Sequence, residues 1–277
     1  MFLGFIWGAS FILMKKGLET FSAVQVAGIR MFVASLITLP LGLKFLKKIN
    51  KRNILPIMVV AFIGNLIPAF LFSFAQTHIN SSLAGMLNST TPLFALIFGL
   101  LLFGQKVRKA KTLGIFIGLL GAFMLVIRGD VQHLFSFSGF EFLIIIATLM
   151  YGYNVNQVRH FLSGLSGLEI TALAYLFVLP VSTILLFTTD LHSTLLHPQF
   201  TVNLIYLIVL AVIGSVLAVI LMNMLIQKAG ALFASSVTYI IPVFAVFWGI
   251  VDGEAISLLQ IFGIFTVLTG VYLVNKT

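Results

Sequence analysis

Residues 84–99 read AGMLNSTTPLFALIFG, and residues 234–249, an offset of 150 further on, read ASSVTYIIPVFAVFWG. Ala84 meets Ala234, Pro92 meets Pro242, Phe94-Ala95 meets Phe244-Ala245, and Gly99 meets Gly249. The match extends outward at the same offset, where Ala61, Ile63 and Gly64 meet Ala211, Ile213 and Gly214. After a one-residue gap Gly114 and Gly121 meet Gly263 and Gly270. An offset of 144 brings Trp7-Gly8-x-Ser10 over Tyr151-Gly152-x-Asn154, and Lys15 over Arg159. Apolar segments resemble one another by chance, but shared prolines and glycines coincide less easily. The chain therefore reads as a duplication, with one repeat in 1–135 and the other in 136–277.

Composition says where such a chain folds. Of 277 residues, 60% are hydrophobic and 8% charged, against roughly 25% charged in soluble domains. Too few charges exist to cover a soluble surface, so the apolar surface meets lipid. A spanning helix needs roughly 20 apolar residues. Runs of that length, bounded by charge or turn residues, predict ten spans near 1–18, 22–44, 54–76, 81–103, 109–127, 139–160, 168–189, 203–227, 231–251 and 257–275. The expected fold is an all-α integral membrane protein of ten transmembrane helices. No separate soluble domain fits beside them, and no cleavable signal peptide is evident in the opening residues.

Charge placement orients the spans. With both termini on one side, that side receives Lys44, Lys47, Lys48, Lys51, Arg52, Lys106, Arg108, Lys109, Lys111, Arg159, Lys228 and Lys276. The other receives Lys15, Lys16 and Arg128, and Arg30 lies within a span. The basic side of a membrane protein faces the cytoplasm, so both termini are expected there. The net charge of +9 belongs to this pattern and to anionic headgroups, not to nucleic acid. Asp130, Glu141, Asp190, Asp252 and Glu254 fall on the outer side. The absence of cysteine excludes disulfides and thiolate metal sites. The histidines have no metal-ligand spacing, and no catalytic constellation is present, so neither an enzyme nor a cofactor is expected.

Each half holds five spans, an odd number, so the second must be inverted relative to the first. Inverted repeats suit alternating access around a site at the midplane. The chain also resembles the EamA-type members of the drug/metabolite transporter superfamily. The resemblance lies in Trp7-Gly8, Lys15-Lys16, Arg30, Pro92, Gly99, Gly104-Gln105, Gly114, Gly118 and Gly121, repeated as Pro242, Gly249, Gly253-Glu254, Gly263 and Gly270. Gln105 departs from it, standing where the family pattern has Glu. The resemblance implies a ten-helix bundle with a central cavity, spans 3–4 and 8–9 as paired moving hairpins, and spans 5 and 10 at the periphery. It also implies transport of small metabolites, amino acids or related solutes, outward through a bacterial inner membrane. A multidrug exporter and a non-transporting scaffold or receptor are the alternatives. The glycines of spans 5 and 10 could pack within one chain or between the two chains of a homodimer.

Polar side chains avoid lipid, so those deep in spans are the candidate substrate-binding residues. They are Trp7 and Ser10 in span 1, Asn65 in span 3, Asn88 and Thr91 in span 4, Tyr151 and Asn154 in span 6, and Thr238 and Tyr239 in span 9. Trp7 also suits an interfacial belt, and small residues beside the others suit plain helix packing. Pro92 and Pro242 each free a carbonyl one turn back, giving a hinge, a ligand contact or a tolerated kink. Asn156 and Gln157, and likewise Gln76 and Gln227, lie far enough along their spans to be wetted. Arg30 could grip a substrate carboxylate or snorkel to the outer headgroups, and its place about eight residues into the span favours the second. None of the seven acids falls in the middle of a span. That points to facilitated transport, or to coupling near an interface.

Overall fold

The computed structural model of the protein describes residues 1–105, 109–126, 139–253 and 258–276. Their regular structure is helical throughout. The helical elements are α1 (Phe2–Leu18), α2 (Ala23–Phe45), α3 (Ile54–Ala75), α4 (Ser81–Leu101), α5 (Lys109–Val126), α6 (Glu141–Phe161), α7 (Gly167–Phe187), α8 (Phe200–Ala229), α9 (Ala231–Val251) and α10 (Leu258–Lys276). A one-turn helix at Leu191–Leu195 precedes α8. Each expected span coincides with one of these to within about three residues. Six of them (α2, α3, α4, α7, α8 and α9) are long and apolar enough to cross a membrane. The outer surface agrees, with Leu101, Ile184, Phe262 and Phe265 all more than 60% exposed. The protein is an all-helical membrane protein. The expected boundary between 135 and 136, and the loop charges Lys106, Arg108, Arg128, Asp130 and Glu254, lie outside the described residues.

Local chemistry sets the helix starts. Ser22 Oγ accepts from Gln25 N–H while Gln25 Oε1 accepts from Ser22 N–H, a reciprocal cap that opens α2. Ser166 and Glu169 do the same for α7. Each pair satisfies two backbone donors that a helix start leaves orphaned. The two boxes lie 144 residues apart, the offset that brings Trp7-Gly8 over Tyr151-Gly152.

Four helices are interrupted. α3 widens into a π-helical segment at Phe62–Leu66, and α8 does so at Leu210–Leu217. α4 breaks at Ser89-Thr90 and restarts as the helix Thr91–Leu101, while α9 passes through a 3-10 turn at Val237–Ile240 and restarts as Ile241–Val251. Pro92 and Pro242 take the second position of the restarted helices, where their missing N–H costs nothing. The carbonyls one turn back already have partners. Asn88 O accepts from Thr91 Oγ1 at 2.7 Å, and Thr238 O accepts from Ile241 N–H.

Packing crosses between the halves. α1 lies against the restarted part of α9, and α6 against the restarted part of α4. A Cβ on Gly8 would strike Phe244, Ala245 and the Ile241 carbonyl; one on Gly152 would strike Phe94 and Ala95. Gly214 seats the Ser10 side chain, and Gly64 seats the Asn154 side chain. The same contacts are thus made twice, with the halves exchanged. α2 runs beside α7, and α5 beside α10. In the latter pair Gly121 faces the backbone of Val267, and Gly270 faces that of Gly118. Those glycines pack within one chain.

Polar contacts gather at two poles. At one, Lys15 and Lys16 from the end of α1 hold Asp252, just past α9, at 2.5 and 2.9 Å. Partial burial alone would raise the Asp252 carboxyl, but hydrogen bonds from the two lysines outweigh it and hold it below the usual carboxylate range. It is therefore ionised at neutral pH. At the other pole Lys48 holds Glu169 at 2.5 Å, and Arg159 donates to the Gln227 carbonyl.

The glycine seats carry a direct consequence. Gly152→Leu forces a side chain into the Phe94–Ala95 backbone, where overpacking costs roughly 1–3 kcal/mol. Its thermal midpoint in detergent should fall well below that of the wild type. Gly164→Ala, at a site open to 4 Å, should leave it unchanged. Equal midpoints for all three proteins would show that the crossed packing is loose.

Candidate functional site

Where the crossed helices meet they enclose a cavity of about 100 Å³. Trp7 and Ser10 from α1, Asn65 from α3, Asn88 and Thr91 from α4, Tyr151 and Asn154 from α6, and Thr238 from α9 all line it. Eight of the nine expected residues thus come together. Tyr239 does not. Its ring packs against Gly118 of α5, and its hydroxyl donates to Ile115 O at 3.0 Å. Adjacent residues on a tight helical turn point more than a quarter-turn apart, so Thr238 facing the cavity turns Tyr239 away.

Much of the lining exists because the helices are irregular. A π turn moves the backbone partner of a carbonyl from the i+4 to the i+5 N–H, as Ile67 N–H to Phe62 O and Ala218 N–H to Ile213 O show, and side chains add to this wider ladder. Asn65 Nδ2 donates to Val60 O at 2.8 Å, five residues back, and Ser215 Oγ is 3.5 Å from Leu210 O at the matching place in α8. Trp7 Nε1 donates to Gly214 O at 3.1 Å, so Trp7 is a cross-helix tie and not a belt residue. The Tyr175 hydroxyl lies within 3.3 Å of Asn65 Oδ1 and 3.2 Å of Ser215 O, joining the two π segments. Nothing in the apolar run around Tyr175 set it apart in the sequence; its one signal was a lone hydroxyl in a span.

Arg30 also differs from its expected role. It lines the cavity, and its Nε donates to Ser215 Oγ at 2.7 Å. It therefore points inward, because Ser215 on the π segment of α8 anchors the guanidinium more closely than headgroups beyond the helix end could.

Asn156, Gln157 and Gln76 are buried rather than wetted. Asn156 Nδ2 donates to Ala95 O at 2.8 Å, while its Oδ1 accepts from Gln105 Nε2 at 2.8 Å. Gln105, where the family pattern has Glu, thus ties the end of α4 to α6 as a neutral donor. Gln157 donates to Asn154 Oδ1 on its own helix and to Pro56 O on α3, Gln76 to Phe11 O, and Gln227 to Leu162 O. Buried amides cross-link helices here, and the sequence reading had given them to solvent.

Apolar walls complete the site. Phe72 stacks on Tyr151 with ring centres 6.2 Å apart, and Phe11, Met14, Met31 and Met222 fill the remaining sides. Against that lining the Asn88 Oδ1 stands out, buried and without a hydrogen-bond partner among the described residues. No group of three or more metal-ligating side chains occurs among the described residues.

The sequence model of the EamA-like transporter family matches residues 1–127 and 139–276. The chain belongs to that family. It is a membrane transporter by that membership. An uncharacterized inner membrane transporter of Escherichia coli (strain K12), YedA, is 28% identical over 281 residues, covering 98% of this chain and 87% of YedA. A protein of Chlamydia muridarum named as an S-adenosylmethionine/S-adenosylhomocysteine transporter is 24% identical, covering 88% of this chain and 80% of its own length. A solved structure titled only as a crystal structure of protein superposes with a TM-score of 0.68 at 15% identity, over 99% of this chain and 96% of that one. It shares the fold.

Asn65 and Asn88 should separate by experiment. Asn65→Ala removes the side-chain donor to Val60 O and one of the two acceptors of the Tyr175 hydroxyl, at roughly 0.5–1.5 kcal/mol for each hydrogen bond lost, so the thermal midpoint of this EamA-like transporter should drop. Asn88→Ala removes an oxygen that has no partner and should leave the midpoint near that of the wild type. The reverse order of midpoints would mean that Asn88 is the structural amide.

Proposed function

We propose that this EamA-like transporter is a secondary carrier that exports small organic metabolites, amino acids or related solutes, by alternating access between two inverted five-helix halves. The observation that carries the reading is the cavity itself. It is lined by residues of both halves, at the crossing where Gly8 and Gly152 make the same contact with the halves exchanged. The matched π segments and matched helix breaks support the same duplication, as do the two segments matched by the family model, which leave the expected repeat boundary between them.

The proposed solute-binding set is Trp7, Ser10, Asn88, Thr91, Tyr151, Asn154 and Thr238, with Asn65 holding the wall in shape. Pro92 and Pro242 are the proposed hinges, because each begins a restarted helix beside the cavity. A cavity of about 100 Å³ is small beside the roughly 300–1,000 Å³ of drug-sized pockets, which favours metabolites over multidrug export. The Chlamydia relative, named for a metabolite, supports the same class. The proposed setting is ten spans in a bacterial inner membrane, supported by the helix lengths and the inner membrane relative, with both termini cytoplasmic, supported by the charge distribution. No homodimer is needed to complete the cavity.

Topology is tested in a chain that has no cysteine of its own. An impermeant thiol reagent on intact cells should label Asp190→Cys and spare Lys48→Cys, and labelling of position 48 alone would sink the ten-span orientation. Function is tested by comparing metabolites exported from cells with and without the protein, followed by counterflow of the leading solute in vesicles of purified protein. Vesicles that exchange no solute would leave the scaffold alternative standing.

A further inference from the structure

Arg30 is the one charged residue that lines the cavity among the described residues. Its Nε–H, bound to Ser215 Oγ at 2.7 Å, is the guanidinium's one hydrogen bond among them. Ser215 is itself fixed on the π segment of α8, where its carbonyl accepts from Tyr175. The guanidinium is thus held by its Nε edge on the cavity lining, and its two Nη groups make no hydrogen bond among the described residues. A cation among apolar side chains is costly unless an anion meets it, and a planar fork fits a carboxylate with two parallel hydrogen bonds.

A second, independent group points to the rest of the ligand. Asn88 is 6% exposed, lines the same cavity, and keeps an Oδ1 with no partner among the described residues. That oxygen has no accessible surface as the side chain stands, so a turn of the Asn88 side chain brings it to a donor on an entering molecule. Met14, Met31 and Met222 supply flexible, polarizable walls that adapt to apolar groups of different shape.

We propose that Arg30 recognises a carboxylate on the transported solute through its two Nη groups, while Asn88 Oδ1 accepts from an amino or hydroxyl group of the same molecule. The substrate class is then small amino- or hydroxy-carboxylates with variable apolar side groups. The inference rests on the carrier reading above and adds the chemical class of the solute and the residue that selects it.

The test uses matched probes with one carbon skeleton. The purified protein is titrated with leucine, 4-methylpentanoate and 3-methylbutylamine, and with phenylalanine, 3-phenylpropanoate and 2-phenylethylamine, while thermal unfolding is followed. Sodium chloride alone forms a further arm. At least one carboxylate-bearing probe should raise the midpoint in a saturable way, and the amines should not. Arg30→Gln should weaken that binding by roughly 10- to 100-fold, the usual worth of a charge-assisted pair, with Arg30→Lys in between. Ser215→Ala keeps the charge but frees the fork, and should weaken binding several-fold, which covers the case of an Arg30→Gln protein that does not fold.

Amines that bind as well as acids, a chloride shift as large as the acid shift, or no shift with any acid would each overturn the proposal. So would an unchanged carboxylate preference in a folded Arg30→Gln protein. Counterflow in vesicles separates the two readings. Flux without dependence on Arg30 leaves the carrier and removes this assignment, whereas carboxylate-selective binding without flux leaves the site and removes the carrier.

Discussion

A backbone carbonyl inside a membrane protein has no water to turn to, and the site depends on that constraint. Every departure from regular helix in α3, α4, α8 and α9 frees main-chain groups that the protein itself must bind. The side chains that bind them are therefore not scattered. Asn65 answers Val60 O, Trp7 answers Gly214 O, Tyr175 answers Ser215 O, and Thr91 answers Asn88 O. Once those polar groups are drawn to one level of the bundle, a polar cavity there is the natural result. Asn88 Oδ1 and the Nη groups of Arg30 are among the polar groups left without a hydrogen-bond partner among the described residues, and both residues line the cavity. Leftover polarity of this kind is what a solute can use.

The second constraint is close approach. Helices in lipid gain little from apolar burial against one another and rely on tight packing, so glycine positions decide which helices can touch. Gly8 and Gly152 bring α1 and α6 onto the restarted halves of α9 and α4 at backbone distance. Gly121 and Gly270 do the same for α5 and α10. Because α1 packs on the second half and α6 on the first, neither half closes its own core. The cavity wall is assembled only when both are present. This explains why residues at matching places of the duplication appear in the lining as unlike partners, Trp7 with Tyr151 and Ser10 with Asn154.

The helix boundaries were legible because apolar runs of spanning length end at charges and caps, as at Ser22 and Ser166. Most of the lining was legible for a related reason, since a polar residue deep in a span has few places to go. The failures are equally physical. Thr238 and Tyr239 are neighbours, both assigned to the cavity as polar groups deep in a span, and the 3-10 turn sends them to different sides. Arg30 was assigned by depth, yet its direction is set by Ser215, about 185 positions away in sequence and made available by a π turn that no periodicity announces. Asn156, Gln157 and Gln76 were given to water because they lie toward span ends, while their carbonyl partners sit on other helices. Pairing between distant segments is the information that one sequence carries least visibly.

Unequal contact strengths suggest how the proposed cycle could move. The glycine seats place backbone against backbone, and prising them apart would expose unfilled space and forfeit contacts on both sides. The ties at the poles are of another kind. Lys15 and Lys16 with Asp252 join α1 to the end of α9, and Lys48 with Glu169 joins α2 to α7. Each keeps its lysines at the water, about a third exposed for Lys15 and Lys16 and half exposed for Lys48, while the carboxylates of Asp252 and Glu169 are mostly buried. The first tie closes a pair of helices that border the cavity; the second closes a pair that run together along their length. Separation at the Lys15–Lys16–Asp252 pole would part α1 from the end of α9 beside the cavity, whereas separation of α2 from α7 would tear a long interface. On the proposed cycle, then, the glycine seats act as the pivots, and the outer charged end of the α1–α9 pair acts as the gate.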